Sequence, residues 1–304
     1  MFREDTVGLA DSSSGEKEPN RRKLLKNLGV GAAAIGALSL GRATPAKAQT
    51  ADEDVAILNF ALNLEYLEAE FYLNAVYGKG LPYADCTGIG SEPGFVTGGA
   101  QVQFANKYVK QYAEEIANDE LHHVLFLRKA LGSAAVARPT INIDTSFRTL
   151  ARAAGLVAAD GTFSPFVNDD TFLLGAFIFE DVGVTAYNGA GASITDKTYL
   201  TAATSILAVE AYHAASVRLQ LVQLGLMTAA NKISALRAKL SAAVVPGAGD
   251  DQGITLNGTS NIVPTDLNSL AFARTPAQVL NIVYGGGAGS DYLFYPKGMN
   301  GAIS

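Results

Sequence analysis

Two short motifs each end on one of the chain's three histidines: Glu120-Leu121-His122-His123 and Glu210-Ala211-Tyr212-His213. Both read Glu-x-x-His. On a helix, residues i and i+3 share a face, so carboxylate and imidazole point the same way. Two such motifs, joined by one Glu from each of two further helices, make the donor set of a di-metal centre in a four-helix bundle. Around residues 171–189 the only glutamate is Glu180, after the apolar run Phe172 to Phe179. A carboxylate there is costly to bury without a partner. It is either a ligand or a structural acid paired with Arg128 or Arg218. Upstream, Glu65, Glu68 and Glu70 are the candidates.

The chain overlays on itself. Glu65 to Tyr72 (EYLEAEFY) matches Glu180 to Tyr187 (EDVGVTAY), and Glu120 to Arg128 matches Glu210 to Arg218. This looks like a duplicated two-helix unit, with a metal site about its pseudo-twofold axis. The overlay selects Glu65 as the counterpart of Glu180, but Glu68 shares nearly the same face and stays a rival. The proposed ligands are therefore Glu65, Glu120, His123, Glu180, Glu210 and His213. Four carboxylates balance two divalent ions. Without metal they would have to protonate or admit water, because burial and mutual repulsion raise carboxylate pKa. Oxygen-rich ligation with two imidazoles suits iron or manganese, and zinc also fits.

Other residues are weighed beside these. Tyr72 and Tyr187 read either as core residues with satisfied hydroxyls or as donors to the site. Arg128 and Arg218 read as partners of the motif carboxylates or as surface charges. His122, three residues after Asp119, reads as half of a surface pair. Cys86 lies in a glycine-rich loop with no activating neighbour. No residue is assigned as catalytic, and no motif for an organic cofactor is found.

The positioning elements follow from apolar spacing and breakers. Helices are predicted over 52–77, 101–131, 171–189 and 196–225, with shorter ones near 146–156, 229–243 and 275–284. Asp169 or Asp170, Thr195 or Asp196, and Thr275 are the expected N-caps. The order is helix–loop–helix, long connection, helix–short loop–helix. That is an all-α bundle with one long crossover, residues 49–243, followed by a loop-rich extension, 244–304, expected to pack on it.

Residues 1–48 read as an address. Asn20-Arg21-Arg22-Lys23-Leu24-Leu25-Lys26 precedes a Gly/Ala-rich apolar run and Ala46-Lys47-Ala48. Basic, apolar and A-x-A segments in that order are those of an export signal, cleaved near Ala48. The paired arginines resemble a twin-arginine signal, which exports folded proteins. The expected destination is periplasmic or extracellular, with no membrane span after cleavage. The remaining chain holds 15 basic and 24 acidic residues, a net charge of −9. That gives no basic face for nucleic acid. One cysteine excludes an internal disulfide, a zinc ribbon or a Cys-held iron–sulfur cluster.

The segment Leu58 to Tyr72, the two Glu-x-x-His motifs, Thr275-Pro276-Ala277-Gln278-Val279-Leu280 and Pro296-Lys297-Gly298-Met299-Asn300-Gly301 together resemble the ferritin-like domain proteins that include the desiccation-related proteins of plants and bacteria. The resemblance implies a ferritin-like fold and a di-metal centre, without a settled activity. Redox chemistry on dioxygen or peroxide is one expectation. A non-enzymatic stress protein, in which metal only staples the bundle or is absent, is the other. A homo-oligomer is compatible with either, but nothing encodes a closed storage cage.

Overall fold

The computed structural model describes residues 51–90, 92–286 and 292–304. The export-type segment, residues 1–48, lies outside them. Helices α1 (Ala51–Tyr77), α2 (Lys107–Leu131), α4 (Asp169–Gly191) and α5 (Lys197–Gln223) form an all-α four-helix bundle. Helix α3 (Thr145–Ala153) sits in the long crossover, and α6 (Met227–Val244) and α7 (Pro276–Val283) follow the bundle. Helix α1 packs chiefly on α2, and α4 on α5. The two pairs face each other through α1–α4 and α2–α5. No helix among the described residues is long and apolar enough to cross a membrane.

Strands are minimal. β1 (Val96–Thr97) pairs in parallel with β2 (Ile141–Asn142), tying the α1–α2 loop to the crossover. β3 (Thr255–Leu256) and β4 (Thr259–Ser260) form a small antiparallel hairpin in the C-terminal extension.

The caps explain where the helices start. Asp196 accepts from the amides of Thr198 and Tyr199, and Thr275 and Gln278 form a capping box with Pro276 at the first turn. Asn168, not Asp169 or Asp170, caps α4 through a reciprocal box with Thr171. Asp169 turns instead to the amides of Ala105 and Asn106, at the start of α2. Helix α2 begins at Lys107 rather than near 101. Residues 101 and 102 serve the end of α1: the Val102 amide donates to Ala75 O, and Gln101 Nε2 donates to Val76 O. These bonds satisfy terminal carbonyls that a helix leaves unpaired.

The C-terminal extension is anchored to the bundle by hydrogen bonds and ion pairs. Asn63 donates to Asn300 O, its own Oδ1 accepts from the Asn300 amide, and Tyr295 donates to Asn63 O. The Pro296–Gly301 motif therefore braces the turn of α1 that carries Glu65. Elsewhere, three arginines and three aspartates form a buried, charge-balanced network. Arg218 and Arg237 share Asp181, Arg237 and Arg274 share Asp251, and Arg274 also meets Asp250. Asp250, Asp251 and Arg274 belong to the extension, while the other three stand on bundle-side helices. Arg218 also donates to the carbonyls of Gln252, Gly253 and Asn261.

Candidate metal centre

The six residues selected from the sequence converge in the middle of the bundle. Glu65, Glu120 and Glu210 are fully buried, Glu180 is 1% exposed, and His213 and His123 are 5% and 8% exposed. Only the imidazoles approach solvent. Ligand atoms of Glu65, Glu120, His123 and Glu210 lie within 4.8 Å of one another, as do those of Glu120, Glu180 and His213. Glu120 belongs to both groups. Its Oε2 is 3.4 Å from His123 Nδ1 and its Oε1 is 3.1 Å from His213 Nδ1. It thus spans the two histidines, whose rings stand 6.3 Å apart.

The arrangement is twofold in pattern. His123 Nδ1 lies 3.2 Å from Glu65 Oε2, and His213 Nδ1 lies 3.5 Å from Glu180 Oε2. Tyr187 donates to Glu65 Oε1, and Tyr72 donates to Glu180 Oε1. Each tyrosine therefore crosses to the other half's glutamate. Reciprocal contacts of this kind are what a twofold axis requires. Both tyrosines are donors to the site, with their rings in the core.

Glu68 is also present. It is 5% exposed and stands near Glu65, Glu120, Glu180 and His123. It is not among the tightly grouped ligand atoms. Burial and the surrounding carboxylates drive its pKa well above the usual range.

The electrostatics describe a site crowded with protons. Burial pushes Glu65 up to about 7, against the pull of His123. Glu210 is driven well up by burial and by four neighbouring carboxylates, and Glu180 is raised chiefly by burial. Burial also opposes ionisation of Glu120, yet the two histidines hold it below its ordinary value. Burial works against the imidazolium forms as well. The glutamates outweigh it, pushing His123 up to about 11 and His213 higher still.

The donor set fits a metal on direct grounds. Glu120 Oε1, Glu180 Oε2, both oxygens of Glu210 and His213 Nδ1 are buried with no hydrogen-bond partner. Buried polar atoms are rarely left so, and five at one point form a donor set that could hold a cation. Carboxylate and imidazole donors suit a divalent transition metal.

Several surrounding roles differ from the sequence reading. Asp119 does not pair with His122, which is exposed. It holds His213, with Oδ2 3.1 Å from Nε2. Periodicity pairs residues on one helix and cannot see a partner on another. Neither arginine reaches a motif carboxylate, nor Glu180. Arg218 is fully buried on Asp181, and Arg128 donates to Tyr66 OH and to carbonyls of the 84–87 loop. Glu70 pairs with Arg138, away from the centre. Cys86 is buried, donates to Pro82 O, and has its thiol pushed up to about 11 by burial.

A groove of about 820 Å³ opens beside the centre, lined by residues of α2 and α5 that include His122, His123, Phe126, Ser205 and Val209.

A family model for the ferritin-like domain matches residues 53–223. The desiccation-related protein PCC13-62 of Craterostigma plantagineum is 32% identical over 247 residues, covering 75% of this chain and 76% of that protein. The ferritin-like catalase Nec2 of Nesocodon mauritianus is 28% identical over 276 residues, covering 83% and 85%. No solved structure matches the chain.

Proposed function

The chain belongs to the ferritin-like domain family, and from that premise we propose that Glu65, Glu120, His123, Glu180, Glu210 and His213 hold two iron or manganese ions that act on peroxide in an exported protein. The observation that carries the proposal is the set of five orphaned ligand atoms at the centre of the bundle. A relative named as a ferritin-like catalase points to peroxide as the substrate. The overall reaction turns two hydrogen peroxide molecules into two waters and one dioxygen.

The bound ions would supply two-electron redox capacity and Lewis acidity. The rest falls to the chain. Glu65 and Glu180 would serve one ion each, and the tyrosine bonds fix their second oxygens so that the donor geometry is set in advance. Glu120 belongs to both groups of donors, and Glu210 stands with Glu65 and His123. Glu68, buried beside the cluster, would hold or relay a proton within the dry interior, where peroxide chemistry needs one delivered. Peroxide enters by the groove along His123, the imidazole that solvent reaches most easily. Export follows the twin-arginine route, which suits a protein that loads metal and folds before crossing. Sequencing the exported product should find Gln49 at its start.

The test is elemental analysis of natively exported protein beside the Glu120→Ala/Glu210→Ala double variant, with oxygen evolution from peroxide measured on both. About two iron or manganese ions per chain and catalase activity, both lost in the variant, are expected. Metal without turnover would leave a structural centre in a stress protein. Folded wild type with no metal would end the proposal.

A further inference from the structure

The twofold pattern of the centre is broken at the far nitrogens of the two imidazoles. His213 presents Nδ1 to the carboxylates, while its Nε2 is held by Asp119 at 3.1 Å. His123 also presents Nδ1 to the carboxylates. Among the described residues nothing bonds its Nε2, and its ring lines the solvent-filled groove. The overlay explains the difference. Asp119 precedes Glu120, and the residue preceding Glu210 is Val209. Val209 lines the same groove as His123, so it stands where a partner for that imidazole would stand.

A carboxylate on the far nitrogen of a metal-binding histidine fixes the tautomer and the ring, and raises the basicity of the donor nitrogen. The residue that supplies it affects affinity by roughly 10–100-fold. Only one of the two positions has this support.

We propose that Asp119 is a positioning residue that makes the two metal positions unequal. The position served by His213 binds its ion first and more tightly. The one served by His123, beside the groove, is the weaker and more exchangeable. This rests on the two-metal reading above. It assigns filling order, and leaves the exchangeable ion as the one nearest to incoming solute.

The experiment is a titration of metal-free full-length protein with cobalt(II), following visible absorption under chelator competition. Absorption reports the coordination of each ion as it binds, independently of turnover. Wild type should take two ions in separated steps. Asp119→Asn should weaken the first step by 10–100-fold, alter its spectrum and leave the second step alone. Asp119 is 41% exposed at its side chain, so the variant keeps the core intact. Val209→Asp works in the other direction and should strengthen the second step, a gain that misfolding cannot mimic. Two steps equal within about threefold in wild type, a gap that survives Asp119→Asn, or a Val209→Asp protein whose gap does not narrow would each overturn the inference while the two-metal reading stands. A wild type that binds no cobalt would overturn both.

Discussion

Gly183 offers the sharpest separation of fold from site. It lies inside α4, and its φ is ordinary, so alanine is conformationally allowed. Helix propensity alone favours that change by about 1 kcal/mol. A Cβ at this position would stand 2.2 Å from Glu210 Oε2 and 3.1 Å from its Cδ. Restoring ordinary contact moves the carboxylate by more than about 1 Å, beyond the roughly 0.5 Å a preorganised site tolerates. The carboxylate is the end of a flexible side chain, so metal-free Gly183→Ala should fold with a Tm within a few degrees of wild type. Its metal affinity should fall by at least about 100-fold, comparable to or beyond the loss of a supporting residue. At saturating metal that removes about 2.7 kcal/mol of ligand-linked stability. For a chain of this size, the metal-induced rise in Tm should shrink by roughly 5–10 °C. Calorimetry with chelator and with excess manganese, on both proteins, reads the two terms separately. An alanine variant with the full metal-induced rise would refute the placement of Glu210 against α4.

Three further outcomes follow from the same geometry. Tyr72→Phe and Tyr187→Phe each leave a buried carboxylate oxygen unpaired, so each should cost about 1–3 kcal/mol in urea unfolding of the metal-free protein. The two costs should be similar, because the contacts are reciprocal. The metal-free protein should lose stability as pH rises from about 4.5 to 7. Glu65 titrates at about 7 when folded, against 4.5 as its ordinary value, so the folded state binds the extra proton in that window. Its contribution is complete below 4.5 and gone above 7, a loss of order 3 kcal/mol to which the raised Glu180 adds in the same direction. With manganese present the trend should reverse, since the ion displaces protons and binds better as pH rises; melting at pH 5, 6 and 7 with and without metal checks both signs. Arg237→Met removes one bridge between Asp181 and Asp251 and should cost roughly 3–5 kcal/mol in denaturant unfolding, because it leaves buried charge unbalanced.

Much of this centre was legible in one dimension. Helical spacing placed Glu120 with His123, and the internal overlay favoured Glu65, the residue that groups with His123, over Glu68; spacing also paired Glu210 with His213, whereas Glu210 groups with Glu65, Glu120 and His123 on the other side. What it missed was tertiary. The overlay paired Tyr72 with Tyr187, but two aligned tyrosines do not say that each crosses to the opposite half. Asp119 was assigned to its neighbour on the same helix because its real partner stands on α5. Glu68 was weighed only as a substitute for Glu65, whereas the structure holds it near the site as an additional buried acid whose pKa is raised by burial and neighbouring carboxylates. The network of Asp181, Arg218 and Arg237 with Asp250, Asp251 and Arg274 joins residues up to about 90 positions apart, beyond any local pattern.

The proposed ligands are shared across the pseudo-twofold axis in a way that bears on the origin of such a chain. The first half supplies Glu65, Glu120 and His123, and the second supplies Glu180, Glu210 and His213. Glu120 reaches the second half's histidine, and each tyrosine steadies a glutamate it does not share a helix with. Neither half is a smaller version of the whole centre. A lone two-helix precursor would complete this cluster only by meeting a second copy of itself, with the cluster at their interface. Fusion of two such copies frees each from having to match the other. One copy could then keep an aspartate where the other carries valine, an asymmetry that no pair of identical chains can encode.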